Sequence, residues 1–183
     1  MKTKLLIIMI GLVSSIGTFA GDHDPKAIIP LLKSAKMSLL QGIDYAEKFS
    51  GVSTSAKFEV EDGKLMLSVY TVPEGLGVEP EKASLTEVSG DVGQAHFKPN
   101  VEVFTDKEHL ARASVHMTLF QLSPFTLKQV INKALYFQKG TPIDVRNPTV
   151  RSHRPVADVV IVDDDDVYTI SVDLLSGCTQ ITR

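Results

Sequence analysis

A chain of 183 residues is long enough for one ordinary domain or two small ones, and its 43% apolar and 22% charged residues exclude a disordered or fibrous protein. Its formal net charge of −3 argues against nucleic-acid binding, which rests on neutralising phosphates. A single cysteine, Cys178, excludes an internal disulfide, and five dispersed histidines assemble into no multi-ligand zinc motif.

The chain opens with a leader. Lys2 and Lys4 precede the apolar run from Leu5 to Val13, and Thr18-Phe19-Ala20 places small residues at the usual cleavage spacing. That is the layout of a secretory signal peptide over residues 1–20. The apolar run is short for a bilayer span, so the expectation is a periplasmic or secreted protein with no transmembrane anchor after cleavage. Cleavage removes two lysines and no acid, taking the formal charge from −3 to −5. A mature chain beginning Gly21-Asp22-His23 would offer an amine, two backbone nitrogens and an imidazole, a square-planar set suited to Cu(II) or Ni(II). The simpler expectation is that His23 belongs to an N-terminal lead (21–37), in which Asp24 to Met37 suits a short helix interrupted by Pro30.

Next comes SLLQGIDYAEKFSG, from Ser38 to Gly51, which aligns at constant offset with TLKQVINKALYFQKG, from Thr126 to Gly140. Ser38 with Gln41 and Thr126 with Gln129 each form a capping box, in which side chains and backbone N–H groups satisfy one another at a helix start. Leu39, Ile43, Ala46 and Phe49 recur at helical spacing, matched by Leu127, Ile131, Ala134 and Phe137. Gly51 and Gly140 stand where a left-handed cap ends a helix. Gly42 weakens the first helix by about 1 kcal/mol relative to Ala, and a close approach of helix to sheet would account for it.

After each helix the period changes to two. Ala56, Phe58 and Val60 alternate, Asp62-Gly63 supplies a type I′ hairpin turn, and Leu65, Leu67 and Val69 alternate again. A third run from Ala83 ends in Ser89-Gly90. In the later half, Val156 to Val162 and Val167 to Val172 flank Asp163 to Asp166, and the run ends in Ser176-Gly177. The two Ser-Gly pairs are expected to be the same closing turn, occurring twice. Between the halves, residues 93–104 look irregular or extended. Thr105-Asp106-Lys107-Glu108 then reads as a capping box, opening a linking helix from about Asp106 to Gln121 with Leu110, Ala113, Met117 and Phe120 on its apolar side.

The expected fold is α+β: two repeated units, each one helix packed on a small antiparallel sheet of about three strands, joined by a connecting helix. The boundaries are 38–94 for the first unit, 95–123 for the linker and 124–183 for the second. The residues SLLQGIDYAEKFSGVSTSAKFEVEDGKLMLSVY with TEVSGDV, and TLKQVINKALYFQKG with ADVVIVDDDDVYTISVDLLSGCT, resemble the PepSY family. The resemblance implies a non-catalytic module of the cell envelope that binds or restrains peptidases, with a secreted or periplasmic peptidase or another envelope protein as partner. It carries over no catalytic residue and no cofactor.

The chemistry on offer is sparse. No His-Glu-x-x-His, Gly-x-Ser-x-Gly or Walker pattern occurs. Asp163 to Asp166 lacks the spacing of a calcium loop and reads as a solvated turn. His109, Arg112 and His116 share one face of the linking helix, expected to be exposed, with the histidines too far apart for one metal ion. Arg146, Arg151, His153 and Arg154 form a basic loop, which is either simply solvated or docks an acidic partner. Cys178 is expected to be buried at a strand end. The best-supported function is that of an exported, non-enzymatic binding module. A periplasmic binder of a small ligand or of Cu or Ni is the alternative.

Overall fold

The computed structural model describes residues 25–79 and 82–182. The leader and Gly21, Asp22 and His23 lie outside the described residues. In chain order the elements are α1 (Pro25–Leu32), α2 (Leu39–Ser50), β1 (Val52–Glu61), β2 (Lys64–Val72), β3 (Leu85–Asp91), β4 (Asn100–Phe104), α3 (Lys107–Gln121), α4 (Leu127–Phe137), β5 (Thr141–Val145), β6 (Thr149–Arg151), β7 (Arg154–Asp163), β8 (Asp166–Asp173) and β9 (Thr179–Thr182).

Local chemistry explains most of these boundaries. Both capping boxes form, Ser38 with Gln41 and Thr126 with Gln129. Asp62 and Gly63 have φ of 49° and 73°, the pair of positive angles that a type I′ hairpin needs. Gly51 has φ of 91°, and a Cβ there would lie 2.3 Å from the Val72 carbonyl oxygen, so only glycine fits where the chain leaves α2. Pro30 lies inside α1 without ending it. The linking helix is capped by Asp106 rather than Thr105: the Asp106 carboxylate accepts from the backbone N–H of Glu108 and of His109.

The expectation of two units, each with its own sheet of about three strands, is overturned. The nine strands form one antiparallel sheet in the order β4-β3-β2-β1-β5-β7-β8-β9, with β6 paired to β7 off that path. The seam is the β1–β5 pairing, which sets Ala56 opposite Val145 and Lys57 opposite Asp144. The Ser55 hydroxyl also donates across it to the Val145 carbonyl, at 3.2 Å. The physical reason is edge chemistry. A separate three-stranded sheet would leave unpaired N–H and C=O groups along β1 and β5, and a unit of some 60 residues has little core to offset that.

One face of this sheet is apolar. Ala56 and Phe58 of β1, Leu67 and Val69 of β2 and Val159 of β7 pack with Leu39, Ile43 and Ala46 of α2 and Leu127, Ile131 and Ala134 of α4 in a single core. Lys128 of α4 ties the two helices together through Asp44, at 2.6 Å, and Glu47, at 2.9 Å. A Cβ on Gly42 would come within 2.3 Å of the Leu67 side chain, so the missing methyl is what lets α2 seat on β2.

The helix stripes end one turn early. Phe49 and Phe137 are 53% and 48% exposed instead of buried. Cys178 is exposed, not buried. The two Ser-Gly pairs also differ. Ser176-Gly177 is a turn, with Gly177 at φ of 72°. Ser89-Gly90 lies inside β3, opposite Ser68 and Leu67, and its glycine makes room for the Phe97 ring, which a Cβ would meet at 2.8 Å.

Candidate functional site: a polar cleft beneath the third helix

Alternation along the strands sends a second set of residues to the other face, and among the described helices α3 covers it. Ala113 packs there against Leu85 and Phe104, with Tyr70 alongside, and Met117 packs against Val72 and Ala83. The last turn of α3 continues into the main core through Leu119 and Phe120. At its start, the His109 ring stacks on Phe104 with centroids 4.3 Å apart, and its Nδ1 lies 2.7 Å from the Asp106 carboxylate. The helix is thus pinned at both ends across the first half of the sheet.

Between α3 and the strands of the later half lies a cleft of about 490 Å³. Its floor is Ser55, Lys57 and Tyr70, one wall is His109, Arg112 and His116, and the other wall is Asp144, Arg146, Asn147, Arg151 and Asp158. The volume falls in the range of small-ligand pockets.

The charges of this face are arranged in layers. Deep in the sheet, Lys57 contacts Glu59 at 2.6 Å, and Glu59 accepts from the buried Ser68 hydroxyl at 2.7 Å. Burial, with the Glu87 and Glu59 charges close by, pushes the Tyr70 phenol far above its usual range. Burial likewise pushes the Glu87 carboxyl up, against hydrogen bonds from Ser68 and Tyr70. At the far wall the Arg151 guanidinium forks onto Asp158, with one Nη also donating to Ser171 at 2.8 Å. Burial works against the Asp158 charge, but the bonds from Arg151 and Ser171 together outweigh it and hold the carboxyl low.

Two groups near the centre stand in unusual protonation ranges. Burial raises Asp144 from 3.8 to about 6, against the pull of Arg146 and Lys57. Burial lowers His116 from 6.5 to about 4, and the Arg112 charge adds to it. At neutral pH the imidazole is therefore uncharged, and one ring nitrogen donates while the other accepts.

The basic loop proposed from sequence is divided by the structure. Arg151 and Arg154 flank a tight turn in which Ser152 and His153 have φ of 48° and 63°. This makes β6 and β7 a hairpin rather than an open loop. Arg154 turns away from the cleft onto Asp173, with one bond at 3.1 Å. That pairing holds the Asp173 carboxyl well below its usual range. His153 is exposed at the hairpin tip. Of the four, Arg146 and Arg151 line the cleft, and Arg151 is already held by Asp158. Arg146 lies 3.6 Å from Asp144 through its Nε. The face of α3 that carries His109, Arg112 and His116 is a wall of the cleft rather than a solvated surface: both histidines are half-buried. Among the described residues no group of three or more His, Cys, Asp and Glu is placed to hold a metal ion, and no helix is long and apolar enough to cross a membrane.

Sequence reasoning missed the cleft because its lining comes from seven elements spread over a hundred residues. Its polar positions, such as Ser55, Lys57 and Asp158, read individually as the outer half of an alternating strand. The available signal was their number. Polar residues recur on the same side of adjacent strands, while a helix with histidines at i and i+7 stands between the halves.

No family model matches the chain, and no curated protein matches it. Among solved structures it is similar to a protein of Clostridium difficile 630 described as a "putative lipoprotein". The identity is 17%, the match covers 81% of this chain and 93% of that one, and the TM-score is 0.41. A likeness of that degree carries no argument about function.

Proposed function

We propose that this chain is an exported, non-enzymatic binding protein whose recognition surface is the polar cleft beneath α3. One observation carries the reading: a cleft of about 490 Å³ lined by charged and hydrogen-bonding side chains, on the sheet face that the described helices leave partly open. Export rests on the leader-like residues 1–20. A binding rather than a catalytic role is supported by how the reactive groups are used. Ser55 is committed to the Val145 carbonyl, and Asp158 is held by Arg151 and Ser171, so neither of these is an activated nucleophile or a free base.

The partner we propose is a secreted or periplasmic peptidase or another envelope protein, as the PepSY resemblance implies, engaged through a segment that enters the cleft. The test compares the wild type with an Arg112→Glu/Arg146→Glu variant, whose changes are at exposed positions. The wild type should retain and slow an exported peptidase of its host, and the variant should do neither. Equal behaviour of the two proteins, or no retention by the wild type, would contradict the reading. A second reading, a small-ligand binding protein, is favoured by the volume of the cleft. Calorimetry against small metabolite pools separates it from the first.

A further inference from the structure

The cleft holds hydrogen-bonding capacity that the protein itself does not use. Among the described residues, the Arg146 side chain touches only Asp144, at 3.6 Å through Nε, leaving its two Nη groups uncommitted. The Asn147 amide and the His116 imidazole have no hydrogen-bond partner there either. Arg112 spends one Nη on Glu108, at 2.8 Å, and keeps the rest of its fork. All four side chains line the same cavity. Three of them are donors or cations at neutral pH, and the fourth, His116, offers one N–H.

The remaining charges select among anions. Arg151 is neutralised by Asp158, and Lys57 is engaged by Glu59. What is left is Arg146, which faces Asp144, and the part of the Arg112 fork that Glu108 does not engage. A dianion such as phosphate would meet that carboxylate, whereas a single negative charge shared over two coplanar oxygens suits a guanidinium with an amide beside it. Leu85, Ala113 and the Tyr70 ring add an apolar flank that would cover a short methylene stem. We propose that the cleft is a carboxylate-binding pocket, taking the acidic group of a peptide on Arg146, Asn147, Arg112 and His116. The proposal rests on the reading of this cleft as the recognition surface, and it names the chemistry recognised there.

A peptide carboxylate comes from an acidic side chain or from a C-terminus, and the two are distinguished by simple probes. The purified protein is titrated, with NMR detection of side-chain N–H signals, against N-acetyl-glutamate amide, N-acetyl-alanine, N-acetyl-glutamine amide and inorganic phosphate. The expected result is saturable movement of the Arg146, Asn147 and His116 signals with one of the two carboxylates, and none with the neutral amide. Arg146→Gln should weaken that binding about tenfold or more, since it removes a charge-assisted hydrogen bond. Asp144→Asn should strengthen it by several-fold, by removing the opposing charge. Arg146 is exposed and contributes nothing to the core, so its variant is expected to fold. The proposal is overturned if neither carboxylate gives saturable shifts in the cleft, if phosphate binds in preference to both, or if Arg146→Gln binds as the wild type does. In each of those cases the peptidase comparison above still decides the broader reading, because it uses a whole partner rather than an isolated acid group.

Discussion

The two faces of the sheet are built from the same strands by the same alternation, yet they are used in opposite ways. Against α2 and α4 the strands present Ala56, Phe58, Leu67 and Val69, all at 1% exposure or less, and the face is closed. Against α3 they present Lys57, Ser68, Tyr70, Glu87, Asp144 and Asp158, partly covered and densely cross-linked. One face holds the fold together. The other holds titratable groups whose protonation equilibria burial moves away from their ordinary ranges, which is the kind of arrangement found where a surface serves recognition.

The largest expected effect lies on the apolar face. Phe58→Ala should lose about 3–5 kcal/mol, read as a fall in the urea midpoint at unchanged slope. A truncation on the α3 side, Leu85→Ala, should cost less, because it removes a smaller side chain at a site that is less completely buried.

The polar face is sharpened by pH. Asp144 has a folded value of about 6 against an ordinary 3.8, so the native state keeps its proton longer than the unfolded chain. Its contribution to stability is greatest below pH 3.8 and falls as pH rises toward 6. His116 runs the other way. Its folded value of about 4 lies below 6.5, so stability is complete above pH 6.5 and is lost as pH falls toward 4. Between pH 4 and 6 the two slopes oppose each other in the wild type. Asp144→Asn should therefore raise stability at pH 7 by up to about 3 kcal/mol and steepen its loss on acidification. His116→Gln should flatten that loss or reverse it. Denaturant midpoints at half-unit pH steps would show both, and parallel profiles for the two variants would break the comparison.

Smaller effects separate packing from surface charge on the helix side. Gly42→Ala should destabilise by about 1–3 kcal/mol despite the better helix propensity of Ala, because the new methyl meets the buried Leu67 side chain. Lys128→Ala removes the link from α4 to α2 and should cost less than about 1 kcal/mol, with the difference vanishing in high salt.

Much of the local architecture was legible in the residues. The capping boxes at Ser38 and Thr126, the Asp62-Gly63 turn, the linking helix and the purpose of Gly42 all follow from short-range chemistry, and each appears where that chemistry puts it. The number of sheets was not legible. Whether β1 and β5 end two sheets or join one depends on a pairing across some 90 residues, carried by Ala56, Lys57, Asp144 and Val145, and none of these has a distinctive local signature. The β6–β7 hairpin was hidden for a related reason: Ser152-His153 fills a turn for which Asn-Gly is the usual signal. The cleft was out of reach on both counts. It exists only because the joined sheet brings Asp144 and Asp158 of the later half beside Lys57 and Tyr70 of the earlier one, under a helix whose polar face reads as solvated.

The contrast between the faces stands on α3 being seated over the polar strands, and His116 reports that seating most directly. The imidazole titration can be followed by NMR in the wild type and assigned by the signal lost in His116→Gln. A midpoint near 4 is predicted, because burial between α3 and the strands disfavours the charged ring. A midpoint near 6.5, the value of a solvated histidine, would mean that the ring is free in water and that the cleft described here does not form.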